Sequence, residues 1–297
     1  MMRLGAIDIG SNAARLLITE VNDTNKNNIQ FNKLNLIRVP LRLGFDVFES
    51  GVISEARIEM FVSTMQAYVQ LMKAYGVEHY KATATSAMRD AKNAKEIVAR
   101  VEKETGIKIE IISGSDEAAY IQDSHVAEKM DDSRNYLYID VGGGSTELTL
   151  FSKGKIAFKQ SFNIGTIRLL KGMISNYEWE DMKETIKQQL KNYPKTVAIG
   201  SGGNINKVFS ISKRKDGKSL PLELLKDYFK ELNSVPLAER IEKYKMREDR
   251  ADVIVPALQI YINVMRWADA DEIFVPKIGL ADGITQHIYY ELKEKNL

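Results

Sequence analysis

Two short segments of the sequence place a carboxylate next to glycine and small polar residues, directly after an apolar run. The first is Asp8–Asn12 (Asp-Ile-Gly-Ser-Asn), and the second is Asp140–Thr146 (Asp-Val-Gly-Gly-Gly-Ser-Thr). Small residues leave successive backbone N–H groups uncovered, and a concave row of amides binds an oxyanion or a phosphate. A carboxylate repels phosphate, so we expect Asp8 and Asp140 to hold a divalent cation that bridges to phosphate oxygens. The residues expected to bind phosphate through these loops are Gly10, Ser11, Asn12, Gly142, Gly143, Gly144, Ser145 and Thr146.

The same pattern occurs twice in the chain, with Asp8 and Asp140 separated by 132 positions. Tyr138–Ser145 repeats the form of Ala6–Ala13, and an apolar run follows each copy. For one copy alone, a β-hairpin turn that needs glycine for a positive φ is the simpler alternative. Two copies with the acidic residue in register favour an internal duplication. In that hypothesis each domain contributes one phosphate loop to a cleft that holds adjacent phosphates.

Apolar spacing around these loops predicts an α/β fold, because strands alternate with helices along the chain. In the first half, strands are predicted over 4–9, 16–20, 79–85 and 107–112, and helices over 54–75, 91–105 and 116–130. The second half is predicted to be more helical, with helices over 175–192, 221–234, 237–244, 249–268 and 283–295. Alternation of this kind gives mixed sheets flanked by helices.

Composition and charge limit the class of protein. The 297 residues are enough for two domains, and the 42 basic and 40 acidic residues nearly balance, which argues against a dedicated nucleic-acid-binding protein. The absence of cysteine excludes disulfides, thiolate catalysis and iron–sulfur clusters. The sequence predicts neither a signal peptide nor a transmembrane helix, so we expect a soluble, cytoplasmic protein without membrane contact. The histidines (His79, His125 and His287) are widely separated and do not support a zinc site or a histidine triad.

Several cationic side chains are candidates for contact with phosphate. Arg89 is predicted on a loop after a strand, close in sequence to the hydroxyl group of Ser86. A guanidinium at such a place binds phosphate with two hydrogen bonds, and the serine donates a third. Arg168 and Arg250 are expected either to neutralise substrate or to make structural ion pairs. The basic run Lys213–Lys218 is predicted as an exposed turn, with the alternative that it guides a polyanion electrostatically.

The duplicated loops resemble those of the actin-like ATPase and sugar-kinase superfamily, and the sequence lacks both the Walker A pattern and G-x-G-x-x-G. Six segments narrow the resemblance to the exopolyphosphatase / guanosine pentaphosphate phosphohydrolase (Ppx/GppA) family. They follow the family's order over nearly the whole chain: Ala84–Asn93, Ile112–Ala118, Asp140–Leu148, Gly165–Leu169, Gly200–Gly203 and Arg250–Pro256. The resemblance implies two duplicated actin-like (ribonuclease H-like) domains, which we expect at 1–118 plus 284–297 and at 119–283.

The resemblance also assigns chemistry to particular residues. From spacing alone, Glu117 is explained by the preference for acidic residues at a helix start. It occupies, however, the position of the family's catalytic glutamate, which would orient and deprotonate the attacking water. Asp140 and Glu147, with Asp8 as a third, are the expected ligands of Mg²⁺, a cation that prefers oxygen. The resemblance further implies a possible homodimer and a nucleotide-side loop formed by Gly200, Ser201, Gly202 and Gly203.

Two positions depart from the family pattern. Ala13 stands where the family commonly has serine, so one hydroxyl donor is missing from the first loop. Ala281 stands where the family commonly has arginine, which would alter affinity or substrate choice if that arginine contacts substrate. Long family members also carry further C-terminal helical domains. Because this sequence ends at Leu297, we expect processivity on long polyphosphate to be limited.

Three classes of function fit these residues. The leading hypothesis is an exopolyphosphatase that releases terminal orthophosphate from inorganic polyphosphate. The same machinery would serve hydrolysis of the 5′-terminal phosphate of guanosine pentaphosphate (pppGpp), and the sequence does not separate the two substrates. A kinase of the same superfamily is an alternative, although a glutamate base directed at water favours hydrolysis. A non-catalytic actin-like binding protein would have no use for the intact set of Glu117, Arg89, Asp140 and Glu147.

Overall fold

The computed structural model describes residues 1–24, 29–123 and 134–295. The chain divides into two compact units. Unit 1 contains Met1–His125 and Gly279–Leu297, and unit 2 contains Val126–Ile278. Each unit is a mixed β-sheet with flanking helices, which confirms the predicted fold class.

Unit 1 is built around a sheet in the order β3-β2-β1-β4-β5. Its strands are β1 (Met2–Ile9), β2 (Ala14–Asn22), β3 (Gln30–Val39), β4 (His79–Ala84) and β5 (Ile109–Ile111). The helices along this part of the chain are α1 (Leu43–Ser50), α2 (Glu55–Ala74), α3 (Ser86–Asp90), α4 (Ala94–Thr105) and α5 (Gly114–Asp123). β1 is antiparallel to β2 and parallel to β4, which is in turn parallel to β5. The segments that follow β1, β4 and β5 therefore leave the sheet at the same edge.

Unit 2 repeats this arrangement in a sheet of order β10-β11-β9-β6-β7-β8. Its strands are β6 (Asn135–Val141), β7 (Thr146–Ser152), β8 (Lys155–Phe162), β9 (Val197–Ser201), β10 (Leu220–Pro221) and β11 (Glu272–Phe274). Its helices are α6 (Thr166–Leu170), α7 (Asn176–Leu190), α8 (Gly203–Ser212), α9 (Leu222–Ser234), α10 (Leu237–Tyr244), α11 (Glu248–Ala251) and α12 (Ile254–Trp267). β6 is antiparallel to β7 and parallel to β9, as β1 is to β2 and β4. The topology thus shows the same duplication as the sequence.

The last helix, α13 (Leu280–Lys295), returns to unit 1 and packs on its sheet and on α5. Its buried face includes Leu280, Ala281 and Ile284, which join Leu4 and Leu17 in one apolar cluster. Ala281, the position at which the family pattern has arginine, therefore lies in the core of unit 1. None of the helices within the described ranges is long and apolar enough to cross a membrane.

Two predicted helices differ in the structure, and a third is described only in part. The helix predicted over 91–105 begins only at Ala94, because Ala91 is extended and the Asn93 side chain bonds the backbone of Ile53. The helix predicted over 249–268 is divided into α11 and α12. Pro256, in the first turn of α12, has no N–H with which to continue an earlier helix. Of the helix predicted over 116–130, the part beyond residue 123 lies outside the described residues, as does His125.

Candidate active site

The loop after β1 is held against α1 through its carbonyl groups. The carbonyl of Ser11 accepts a hydrogen bond from the backbone N–H of Gly44 at 2.8 Å. The carbonyl of Asn12 accepts one from the backbone N–H of Arg42 at 3.0 Å. In a trans peptide the carbonyl and the following N–H point in opposite directions. The amides of residues 12 and 13 are therefore directed away from α1, as an anion-binding loop requires.

The first loop also contacts the start of α3. The hydroxyl groups of Ser11 and Ser86 are 2.7 Å apart, and both side chains are buried. This contact follows from the parallel pairing of β1 with β4, in which Ile9 lies opposite Ala84. Two residues that the sequence predicted to bind phosphate are thus brought together.

Arg89 and Glu117 form a second contact between candidate residues whose motifs are far apart in the sequence. Glu117 lies in the first turn of α5, as expected, and is only 8% exposed. Arg89 Nη1 donates to the carbonyl of Ile112 at 2.6 Å and lies 3.3 Å from Glu117 Oε1. The prediction that Arg89 lies on a loop was wrong: it is in α3, a helix of five residues that is too short to show periodicity.

Asp116 has a structural contact of its own. Its Oδ2 accepts hydrogen bonds from the N–H and hydroxyl of Ser113, at 2.9 and 2.7 Å, and its N–H donates to the Ser113 hydroxyl at 3.2 Å. This reciprocal arrangement is a capping box, which satisfies N–H groups at a helix start. Asp116 therefore fixes the end of α5 from which Glu117 projects.

The loop after β6 is held against α6 in the way that the first loop is held against α1. The carbonyl of Gly142 accepts from Thr166 N–H at 3.0 Å, and that of Gly143 accepts from Ile167 at 2.8 Å. The carbonyl of Gly144 accepts from Arg168 Nε at 2.9 Å, so Arg168 has a structural contact with the loop. Three consecutive carbonyls point toward α6. By peptide planarity, the N–H groups of residues 143, 144 and 145 point to the other side.

Asp8 in unit 1 forms an ion pair with an arginine side chain. It is 4% exposed, and Arg15 Nη1 on β2 donates to its Oδ2 at 2.7 Å. Arg38 on β3 lies directly opposite Arg15 in the sheet, so a row of one carboxylate and two guanidinium groups crosses three strands. Burial, and then the Asp8 carboxylate, raise the pKa of Tyr68, whose hydroxyl donates to the carbonyl of Ala14.

The corresponding row in unit 2 has the opposite sign. Asp140 lies opposite Glu147, and Glu147 lies opposite Ser161. Ser161 Oγ donates to Glu147 Oε1 at 2.8 Å, and Ser201 Oγ lies 3.3 Å from Asp140 Oδ2. Directly opposed residues of an antiparallel pair have Cβ atoms about 5 Å apart, on one face. Two carboxylates so placed fit a divalent cation, whereas the Asp8 row carries excess positive charge and fits an anion.

These carboxylates do not form a complete cage of protein ligands. In residues 1–24, 29–123 and 134–295, no three or more His, Asp or Glu side chains converge as metal ligands. Mg²⁺ does not require such a cage, because it is commonly bound by one or two carboxylates together with water and substrate phosphates. Asp140 and Glu147 therefore fit Mg²⁺ as a pair.

The predicted loop Gly200–Gly203 covers the last two residues of β9, Gly202 and the first residue of α8, and it approaches Asp140 and Arg250. Gly202 has a φ of +105°, and a Cβ added there would lie 3.3 Å from Asp140 Oδ1. A Cβ at Gly203 would lie 2.4 Å from Arg250 Nη1, so the guanidinium lies against the loop backbone.

Two titratable groups near this loop have shifted pKa values. Burial and Arg250 lower the pKa of Lys207 on α8. Complete burial raises the pKa of Tyr261, whose hydroxyl donates to the carbonyl of Ser201, and the Asp140 carboxylate adds to this effect.

The remaining cationic candidate, Lys213–Lys218, is an exposed segment after α8. Arg214 Nη1 donates to the carbonyl of Ser219 at 2.9 Å, and Asp216 pairs with Lys277 at 2.6 Å. Part of its charge is therefore engaged within the segment and its surroundings.

The other departure from the family pattern, Ala13, is buried beside the first loop.

Comparison with protein families gives a match over most of the chain. The model of the Ppx/GppA phosphatase family matches residues 21–290. Over 203 residues, the chain is 37% identical to the bifunctional 3-dehydroquinate synthase/phosphatase of Fusobacterium nucleatum, covering 63% of this chain and 30% of that protein. It is 30% identical to exopolyphosphatase 1 of Mycobacterium tuberculosis over 148 residues, which is 50% of this chain and 42% of that protein. The matches thus span less than half the length of these relatives.

Other relatives and solved structures match nearly the whole of this chain. A guanosine-5'-triphosphate,3'-diphosphate pyrophosphatase of Vibrio vulnificus is 24% identical over 98% of this chain and 60% of its own length. The crystal structure of the Aquifex aeolicus Ppx/GppA family member is 27% identical, with a TM-score of 0.76 over 100% of this chain and 99% of that one. An exopolyphosphatase structure from Cytophaga hutchinsonii is 26% identical, with a TM-score of 0.84 over 99% and 98%.

Proposed function

Because the chain belongs to the Ppx/GppA phosphatase family, we propose that it hydrolyses the terminal phosphoanhydride bond of inorganic polyphosphate, releasing orthophosphate. The observation that carries the proposal is the contact between Arg89 and Glu117. It places a nearly buried glutamate, oriented by a fixed guanidinium, at the sheet edge from which the first phosphate loop also leaves. A binding protein needs phosphate loops but has no need of a base.

In the proposed reaction, Glu117 accepts a proton from a water molecule as the water oxygen attacks the terminal phosphorus. The bond from phosphorus to the bridging oxygen breaks, and the shortened phosphate chain leaves with the electron pair of that bond. Arg89 orients Glu117 through Nη1, which is itself fixed by the carbonyl of Ile112. This division of roles makes Glu117 the catalytic base and Arg89 its orienting partner.

The loops have a separate role in this proposal. The outward N–H groups after Gly142, Gly143 and Gly144 bind phosphate oxygens, as do the corresponding groups after Ser11. Asp140 and Glu147 would hold Mg²⁺, which supplies charge neutralisation to the phosphates when it is bound. The cationic row that contains Arg15 supports binding of the polyanion in unit 1.

The second candidate substrate is pppGpp, and a specific finding favours it. The Vibrio vulnificus relative, which matches 98% of this chain, is a guanosine-5'-triphosphate,3'-diphosphate pyrophosphatase. The Gly200–Gly203 loop, against which Arg250 lies, is the place where a nucleotide would bind on this alternative. Polyphosphate remains the leading substrate, because the Mycobacterium and Cytophaga relatives are exopolyphosphatases and the Lys213–Lys218 segment would guide a longer polyanion.

Orthophosphate release from the two substrates, measured side by side, tests this proposal. We expect the purified protein with Mg²⁺ to release orthophosphate from polyphosphate with a higher kcat/KM than from pppGpp. Release only from pppGpp would assign the chain to the nucleotide substrate. Release from neither substrate, over a range of Mg²⁺ concentrations, would contradict the hydrolase assignment.

The metal requirement gives a second test, because the row that contains Asp8 and the row that contains Asp140 differ in charge. Asp140→Asn and Glu147→Gln are each expected to raise the Mg²⁺ concentration for half-maximal activity by at least about tenfold, since each removes one of two opposed carboxylates. Asp8→Asn, the same change at the equivalent position of unit 1, is expected to have a smaller effect because Arg15 already neutralises Asp8. Equal effects at Asp8 and Asp140 would instead support Asp8 as a third ligand.

A further inference from the structure

α13 and α5 approach each other through their backbones at Gly283. A Cβ added at Gly283 would lie 1.8 Å from the carbonyl oxygen of Tyr120 and 2.4 Å from its carbonyl carbon. Cβ atoms essentially never lie within 3.0 Å of such atoms, and here both belong to backbone rather than to a flexible side chain. Glycine is therefore the residue that permits these helices to pack at the observed distance.

α13 also holds the side chain of Tyr120. The rings of Tyr120 and His287 are 4.9 Å apart with planes at 89°, an edge-to-face contact. Gly283 and His287 are four positions apart in α13 and so lie on one face of that helix. One face of α13 thus fixes both the backbone and the ring of a single α5 residue.

Tyr120 is three residues, less than one helical turn, after Glu117. The first turn of α5 is fixed by the capping box between Ser113 and Asp116. Because α5 is a continuous helix of ten residues, a displacement at Tyr120 is transmitted to Glu117. The distance of 3.3 Å between Glu117 and Arg89 depends on the position of the same helix.

α13 is held to the rest of unit 1 near both of its ends. Asp282 accepts from the N–H of Gly279 at 3.0 Å and pairs with Lys33 on β3 at 2.6 Å. Near the other end of α13, the Tyr289 hydroxyl donates to Asp23 at 3.2 Å. The apolar face of α13 lies in the core cluster of unit 1. A side chain at position 283 would therefore displace α5 rather than α13.

We propose that Gly283 is a positioning residue for Glu117, acting through the backbone of Tyr120. The inference rests on the proposed role of Glu117 as the base. With a methyl group at position 283, the Tyr120 carbonyl oxygen must move from 1.8 Å to at least 3.4 Å from the new Cβ to reach ordinary contact distance. A misplacement of only about 1 Å already costs on the order of a hundredfold in rate. α13 bears no proposed catalytic group, but through this contact it determines the position of Glu117.

Gly283→Ala is the variant that tests this inference. It is expected to lower kcat for orthophosphate release about a hundredfold while KM stays within about twofold, because the loops that bind phosphate are on other elements. Gly5→Ala is the matched control: its Cβ would crowd Met72, Val77 and Tyr80 at 3.1 to 3.2 Å, in the same unit but away from α5. Its kcat is expected within about twofold of wild type, even where its thermal midpoint falls.

The same substitution in a Glu117→Gln background distinguishes an effect on the position of Glu117 from a general loss of structure. If Gly283 acts through Glu117, Gly283→Ala costs little further rate once the carboxylate is gone. Should Gly283→Ala fail to fold, His287→Ala removes the ring contact with Tyr120 without placing a Cβ against the α5 backbone. It is expected to lower kcat by a smaller factor, again only when Glu117 is present. A wild-type kcat in the single variant, an effect confined to KM, or an equal loss in both backgrounds would overturn the inference. A fully active Glu117→Gln variant would contradict the proposed base itself.

Discussion

Replacing Glu117 with glutamine is expected to lower kcat for orthophosphate release by about 10²- to 10⁴-fold, the usual contribution of a general base. Glutamine keeps the size and a carbonyl oxygen for the Arg89 contact, but it cannot accept a proton from water. The variant should fold normally, since Glu117 has no part in the Ser113–Asp116 cap of α5. KM should change little, because the loops proposed to bind phosphate are intact.

Glu102→Gln is a suitable control for this experiment. Glu102 is an exposed residue of α4 in the same unit, 3.8 Å from Lys108, and the substitution makes the same chemical change. Surface changes of this kind alter stability by no more than about 0.5 kcal/mol. If Glu117→Gln retained the rate of Glu102→Gln, Glu117 would not be the base, and the mechanism would need another proton acceptor.

Gly165→Ala is expected to disable the loop of unit 2 that we propose binds phosphate. A Cβ at Gly165 would lie 2.4 Å from the carbonyl carbon of Gly144 and 2.5 Å from the carbonyl oxygen of Gly143. Neither backbone atom can rotate away, so the loop must separate from α6 and lose the carbonyl contacts that direct its N–H groups outward. We expect kcat/KM to fall by about a hundredfold and the free energy of unfolding to fall by about 1–3 kcal/mol through overpacking.

The two effects of Gly165→Ala are measured by steady-state kinetics and by thermal or denaturant unfolding. Leu170→Ala provides the comparison, because Leu170 is an exposed residue at the end of the same helix. It should leave both quantities nearly unchanged. A Gly165→Ala protein with wild-type kcat/KM would show that the position of this loop against α6 does not matter for catalysis.

Much of the fold was predictable from local patterns. The repeat of the Asp8 segment at Asp140 predicted a duplication, and the order of pairings around β1 and β6 confirms it. Glu117 was expected in the first turn of a helix and lies there. Such features depend on residues that are neighbours in the sequence, so spacing alone carries the information.

Contacts that depend on strand register or on tertiary packing were not predictable. The pairing of Asp8 with Arg15 requires knowing which residue of β2 lies opposite β1. In unit 2, Glu147 takes the place of Arg15, so one pattern of residues gives two rows of opposite charge. The sequence does contain one indication of these rows, because Arg15 and Glu147 each follow the loop aspartate by seven positions.

The close contact between the last helix and α5 was not predictable for a different reason. A glycine in a helix start is usually ascribed to flexibility, and only the position of Tyr120 shows that Gly283 marks a close approach between helices. Likewise, the missing arginine at Ala281 was interpreted through substrate contact. The structure places Ala281 in the apolar core, where its small size fits the packing of α13 against β1.

Water is proposed to attack the terminal phosphate, and labelling with oxygen-18 tests this reaction most directly. The protein would be incubated with polyphosphate and Mg²⁺ in water enriched in oxygen-18, and the released orthophosphate would be analysed by mass spectrometry. Hydrolysis predicts one labelled oxygen in each orthophosphate, with release lost in the Glu117→Gln variant. Phosphate transfer to an added alcohol or nucleoside diphosphate without labelled orthophosphate would contradict the claim and identify the chain as a kinase.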